Sequence, residues 1–469
     1  MSCQKLPEGS GPQAAGRRLQ CVLDRRDFLR LLAAQTGALA AGACSLSQTT
    51  DQRRRVHSNG RPADVVVIGA GAFGGWTAYY LRRMGARVTL VDTYGPGNSR
   101  ATSGDETRGV RSSYGDRPHG VLWARWAREA ITRWKRWDEE WAPEMRTRLF
   151  YTTGDLILRK DWEPYLKETR ANWEKVGVLF QVLAPAEVAY RYPVIGMKDV
   201  GVVLYEPDAG VVRSRRACES VAEVFRQLGG RVVVARAAMG TRRADRVHDV
   251  VLYATRESLK ADAFVFACGP WLGKTFPELL RNRLRTPLGY VYYFGTPESD
   301  ARFTFPNLPS YNFPGITGWP ALVPDNRGFR VRTGGGAHSD PDTSQRWIDP
   351  RNFDRPRAFL IDRFPPLANA PLLETRACHY ELTVNRNFII DRHPQLANVW
   401  IAGGGAAEGF KFGPVVGEYV ANRVLGRSED PELAKQFAIP KEEFEESTEP
   451  PAQPVQVPPK QEPRPWTPD

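Results

Sequence analysis

At 469 residues, 42% hydrophobic and 25% charged, the chain has room for about two to three domains and enough apolar content for a sizeable core, which excludes a disordered or fibrous protein. The formal charge of +12 comes from scattered arginines with no basic block interleaved with aromatics. It reads as a solvated basic surface, not a nucleic-acid footprint. Six cysteines, at 3, 21, 44, 218, 268 and 378, show neither paired nor zinc-like spacing, so no metal site and no disulfide framework is specified.

Near the N-terminus stand Asp24-Arg25-Arg26-Asp27-Phe28-Leu29-Arg30 and a modest apolar run from Leu31 to Ala43. This resembles a bacterial twin-arginine export signal, with a run too short to span a bilayer. Residues 1–43 are therefore expected to be a signal peptide and the protein periplasmic or otherwise extracytoplasmic. Ala41-Gly42-Ala43 offers a small-residue cleavage site. The stretch Leu39 to Cys44 also resembles a lipoprotein box, with Ala41 in place of the usual large apolar residue, which makes Cys44 a candidate lipid anchor. Residues 44–62, polar and arginine-rich, read as a linker.

Residues 63–92 predict strand, glycine turn, helix and strand, one βαβ unit. The turn is Gly69-Ala70-Gly71-Ala72-Phe73-Gly74. Gly69 permits the tight turn, Gly71 lets the backbone approach a pyrophosphate, and Gly74 lets the helix pack on the strand. The helix N-terminus offers N–H groups to phosphates. Asp92 follows about 20 residues later, where a carboxylate accepts ribose hydroxyls and repels a 2′-phosphate.

Residues 118–142 place Trp123, Trp126, Trp134, Trp137 and Trp141 close to one helix face. Core packing explains that stripe better than a substrate box. A second helix–strand unit spans 213–236, and Ala263 to Gly269 reads as a buried strand ending in glycine. Residues 285–375, rich in proline, glycine and aromatics, read as an antiparallel sheet covering the cofactor. The strand Asn398 to Ala402 then runs into Gly403-Gly404-Gly405, and Pro414 opens a last helix. Closure over a dinucleotide from both chain ends is more typical of flavoenzymes than of nicotinamide dehydrogenases. Residues 445–469, with eight prolines from Pro450 to Pro468, read as a disordered tail.

Residues 64–116, through Ser103-Gly104-Asp105-Glu106-Thr107-Arg108-Gly109-Val110-Arg111, resemble the flavin-binding segment of the monomeric sarcosine oxidase and N-methyltryptophan oxidase family. The likeness resumes at Cys378-His379-Tyr380-Glu381 and ends at Gly409-Phe410-Lys411-Phe412. It implies a mixed α/β fold with a Rossmann-like FAD-binding domain and an antiparallel-sheet substrate domain. The FAD domain is expected at 63–116, 205–284 and 376–430, and the substrate domain at 117–204 and 285–375. It also implies FAD and oxidation of a C–N bond in a small amine or amino acid. The resemblance places Ser103, Thr107, Gly269, Gly404 and Gly405 with the cofactor and Arg108 near the flavin. It puts the substrate carboxylate on Arg111 and Lys411, with Lys411 and the following helix also stabilising charge on reduced flavin. Cys378 falls on the cysteine that bonds covalently to the flavin; the alternative is a buried free thiol.

Some positions depart from the family. Tyr290 aligns with a lysine that speeds reaction with oxygen, Glu408 replaces a histidine, Ala407 replaces a glycine, and Ala101 to Gly104 lack a histidine. Oxygen and another electron acceptor both stay open. A dehydrogenase of another amine or a hydroxy acid and a non-catalytic flavin-binding partner are the alternatives. Glu408 suggests a substrate with an extra positive group.

Overall fold

The computed structural model describes residues 61–445 except Pro324, Asn326, Ser428 and Glu429, all within the unit Arg54–Asp469. The twin-arginine segment, Cys44, the linker up to residue 60 and the tail from 446 lie outside the described residues.

Two sheets organise the chain. The first runs in the order Ile389–Arg392, Val399–Gly403, Ala263–Phe266, Asp64–Ile68, Arg87–Asp92, Arg231–Val234, parallel except at the Ile389–Arg392 edge. Its strands read Asp-Val-Val-Val-Ile or Ala-Phe-Val-Phe because helices and loops cover both faces. The helix Ala72–Arg83 starts at Gly71, and Gly85 follows its end at φ +93°.

The glycine turn is a packing constraint. A Cβ on Gly74 would lie 1.8 Å from the carbonyl oxygen of Gly69, and one on Gly69 would lie 2.2 Å from that of Ala267. Helix and strand thus meet at backbone contact.

The tryptophan stripe is core. The helix Gly120–Met145 buries Trp123, Trp126, Trp134 and Trp137. Trp76 packs edge-on against Trp134 at 5.4 Å and Trp137 at 4.9 Å between ring centroids. Gly417, in the helix Gly413–Val424, lets that helix reach Trp76, since a Cβ there would come within 2.5 Å. The helix Gly120–Met145, expected from the sequence in the substrate domain, shares its core with the parallel sheet.

The large sheet runs Leu372–His379, Leu288–Phe294, Phe329–Thr333, Ile316–Trp319, Ser310–Phe313, Asp155–Arg159, Val202–Glu206, Gln181–Leu183. It is antiparallel except between Ser310–Phe313 and Asp155–Arg159. The domain border drawn at 375 falls inside one continuous strand. Alternation divides the sheet's faces. Leu156, Leu158, Tyr292, Phe294, Phe329 and Val331 build an apolar core. The intervening positions put Asp155, Glu206, Arg330, Arg332, Tyr293 and Cys378 on the opposite face.

Gly75 offers a control for Gly74, because a Cβ there meets nothing closer than 3.7 Å. Gly75→Ala is expected to be neutral or stabilising by up to ~1 kcal/mol. Gly74→Ala should cost ~1–3 kcal/mol. Urea unfolding of the two variants measures the difference; equal stabilities would refute the contact.

Candidate active site

A cavity of about 600 Å³ opens where the parallel strands end, at Ile68, Asp92, Phe266 and Ala402. The carboxyl end of such a sheet is where open α/β folds bind ligands. Gly69, Gly71, Ser103, Arg108, Gly269 and Gly405 line it with Asp92. Ser103 Oγ accepts from the Ala72 N–H at 3.1 Å, fixing the helix start. The Asp92 carboxylate takes N–H bonds from Ala70 (2.8 Å), Tyr94 and Gly95 (both 2.9 Å), and burial raises its pKa.

Gly74 acts behind the cavity wall through its contact with Gly69. Gly404 stands behind it too, at φ +71°, donating its N–H to Glu381 at 3.0 Å. Glu381 lines the cavity and is pushed up to about 7 by burial. Cys378 is a free thiol facing the Arg108 side, opposite Gly289 on the neighbouring strand. Tyr380, two residues on and so on the same side, lines the cavity. Burial pushes the Cys378 thiol up while Arg108 pulls it down.

Thr107 and Arg108 join a buried network centred on Asp105. Trp319 Nε1 donates to Thr107 Oγ1 at 2.9 Å. Arg330, 1% exposed, stacks over the Trp319 ring at 3.9 Å and donates to Asp105 at 3.0 Å. Tyr293 donates to the other Asp105 oxygen at 3.1 Å, and Arg108 pairs with Asp105 as well. Burial alone would raise the Asp105 pKa; Arg108 and Arg330 hold it well below the usual carboxylate range.

Beyond Arg108 lies a second group of charges. Arg111 makes no hydrogen bond or ion pair among the described residues. Its guanidinium sits in the fields of Asp155, Tyr165, Glu408 and Tyr114. Lys411 is 7% exposed and donates to Tyr114 Oη at 2.8 Å. Its backbone carbonyl accepts from Trp134 Nε1 at 2.9 Å, so the tryptophan helix fixes its position. Burial pushes its ammonium down to about 8, against the pull of Glu408. Lys411 does not line the large cavity; its ammonium is turned to the Arg111 group. Glu408 does line the cavity, but Arg117 engages it at 3.3 Å.

Tyr290 is not brought to this site. It shares the sheet face of Leu288, Tyr292 and Phe294 and packs on the apolar core, while Gly289 and Tyr293 face the site. The alternation of the strand turns it away. Sequence reasoning missed Asp155, Glu206, Arg330 and Arg332 as site residues. Charged side chains at alternate positions of apolar strands were the available signal. Arg332, for instance, is pushed down to about 10 by burial and by Arg330, Arg108 and Arg111.

The family model for FAD dependent oxidoreductases, DAO, matches residues 64–423. The chain is 28% identical to monomeric sarcosine oxidase of Bacillus sp. (strain B-0618), covering 78% of this chain and 93% of that one. It is 28% identical to peroxisomal sarcosine oxidase of Homo sapiens, covering 76% and 90%. Identity is 24% to N-methyl-L-tryptophan oxidase of Salmonella dublin, covering 78% and 95%. Among solved structures, L-proline dehydrogenase from P. horikoshii superposes with a TM-score of 0.69 at 20% identity, covering 80% of this chain and 96% of that one. Amadoriase I from Aspergillus fumigatus gives 0.68 at 20% identity, covering 81% and 90%. Matched through most of both sheets, with its glycine turn at the mouth of the cavity, this chain belongs to the DAO family of FAD dependent oxidoreductases.

Proposed function

We propose that the protein oxidises the C–N bond of an amino acid or N-alkyl amino acid to an imine, which water then hydrolyses. The observation that carries this reading is Arg111, a guanidinium left without a partner beside Lys411, next to a cavity shaped for a dinucleotide. A planar guanidinium with a second cation matches a carboxylate. The names of the relatives, sarcosine oxidase and N-methyl-L-tryptophan oxidase, supply the substrate class.

The residues present fit FAD. Gly69, Gly71 and Ser103 form the pyrophosphate cradle, Asp92 suits the ribose, and the cavity volume of about 600 Å³ suits a ligand of that size. When bound, FAD supplies the acceptor for a hydride equivalent from the carbon next to nitrogen. The protein's part is positional. Arg111 and Lys411 hold the carboxylate, Trp134 and Tyr114 hold Lys411, and the Asp105 network holds Arg108 at the cavity wall. Lys411 and Arg117 hold the Glu408 carboxyl below its ordinary range against its burial, which makes it a poor base; a neutral amine would need none. Covalent attachment through Cys378 belongs to the same reading. It suits an exported protein, because a tethered flavin cannot be lost outside the cytoplasm.

Three measurements test this reading. Arg111→Ala should keep its flavin yet raise the KM for amino acids about 10- to 100-fold, the value of a charged hydrogen bond; an unchanged KM would remove Arg111 from the site. Lys411 is charged below about pH 8 and neutral above it. Binding of an amine-free carboxylate, followed by flavin difference spectra, should therefore weaken as pH rises through about 8. Lys411→Arg should abolish that dependence; wild-type binding that ignores pH contradicts the assignment. Acid-precipitated wild-type protein should stay yellow while Cys378→Ala releases its colour. Colour washing out of the wild type refutes the covalent bond.

A further inference from the structure

The inner face of the large sheet carries a carboxylate that nothing above uses. Asp155 is 1% exposed, and neither of its oxygens has a hydrogen-bond partner among the described residues. Its cross-strand neighbour Glu206 is equally buried but accepts from Ser112 N at 2.9 Å and Ser112 Oγ at 2.5 Å. A buried charge left without a donor costs several kcal/mol. Glu206 is equipped with donors; Asp155 is not.

The cations near Asp155 have other partners or another task. Arg159 donates to Glu163 and to the Asn312 carbonyl, both at 2.6 Å. Lys411 is bound to Tyr114. Arg111 faces Asp155 and is itself unpartnered. A half-buried, unpartnered guanidinium and a buried, unpartnered carboxylate thus stand in one charge cluster, close enough to act on each other yet not joined. That is the complement of a ligand bearing both a carboxylate and a cation.

We propose that Asp155 is a second substrate anchor, binding an ammonium or guanidinium at the end of the substrate's side chain, so that the enzyme prefers basic amino acids. The inference rests on the amine-oxidising reading above and narrows its substrate. It also moves the cation-binding role from Glu408, which Arg117 already neutralises, to Asp155.

The test is anaerobic flavin reduction of the full-length holoprotein by matched pairs. Lysine and ornithine are compared with norleucine and side-chain-acetylated lysine, each also as its N-methyl derivative. The wild type should favour the charged member by about tenfold or more in reduction efficiency, because an unmatched buried charge discriminates strongly. Asp155→Asn should lower efficiency for charged substrates about tenfold more than for neutral ones, and Asp155→Glu should restore part of the preference. The wild-type series stands without any variant. Equal reduction by charged and neutral substrates overturns the inference. So does an equal loss on both in Asp155→Asn, which would make Asp155 a counter-ion or a guide for the reacting amine. Reduction by no amino acid at all overturns the amine-oxidising reading itself.

Discussion

A sheet with charge on its buried face must find opposite charge, and that requirement shapes this molecule. The large sheet has one apolar face, filled by Tyr292, Phe329 and Val331. On the other face Arg330, Asp155 and Glu206 are buried and Arg332 is half-buried. Burying an ion is tolerable only where a partner and hydrogen bonds return the lost hydration. Asp105 supplies the opposite charge for Arg330 and Arg108 together and ties the flavin-side segment to the large sheet. Arg111 and both oxygens of Asp155 are left without a partner among the described residues, the pair from which the proposed ligand is read.

The parallel sheet supplies the other wall. Its strands end in glycines because backbone must meet backbone there, as the 1.8 Å a Gly74 Cβ would leave makes plain. The tryptophan helix joins the two demands. Trp134 packs on Trp76 at the fingerprint helix and also holds the Lys411 carbonyl, so core packing and the placement of Lys411 share one side chain.

Much of this was readable in the sequence where one local rule decides the outcome. Gly69, Gly71, Gly74 and Asp92 follow from the needs of a tight turn and a ribose, and the structure puts three of them at the cavity and Gly74 behind it. The tryptophan stripe follows from helical spacing. Tyr290 was misplaced because an alignment by likeness does not say which way a strand residue points; the two-residue period does. Asp155 and Arg332 escaped notice because their meaning depends on strands far apart in the chain. Only the run of pairings Ser310 with Asp155, Asn312 with Thr317 and Thr317 with Arg332 shows that they share one face.

The most direct measurement is a crystal structure of the holoprotein with an unreactive analogue in which sulfur replaces the amine nitrogen of a small amino acid. The expected result is FAD against Gly69, Gly71 and Asp92, with both carboxylate oxygens of the analogue within hydrogen-bond distance of Arg111 and Lys411. A carboxylate bound elsewhere, with Arg111 turned onto Asp155 instead, would contradict the central claim.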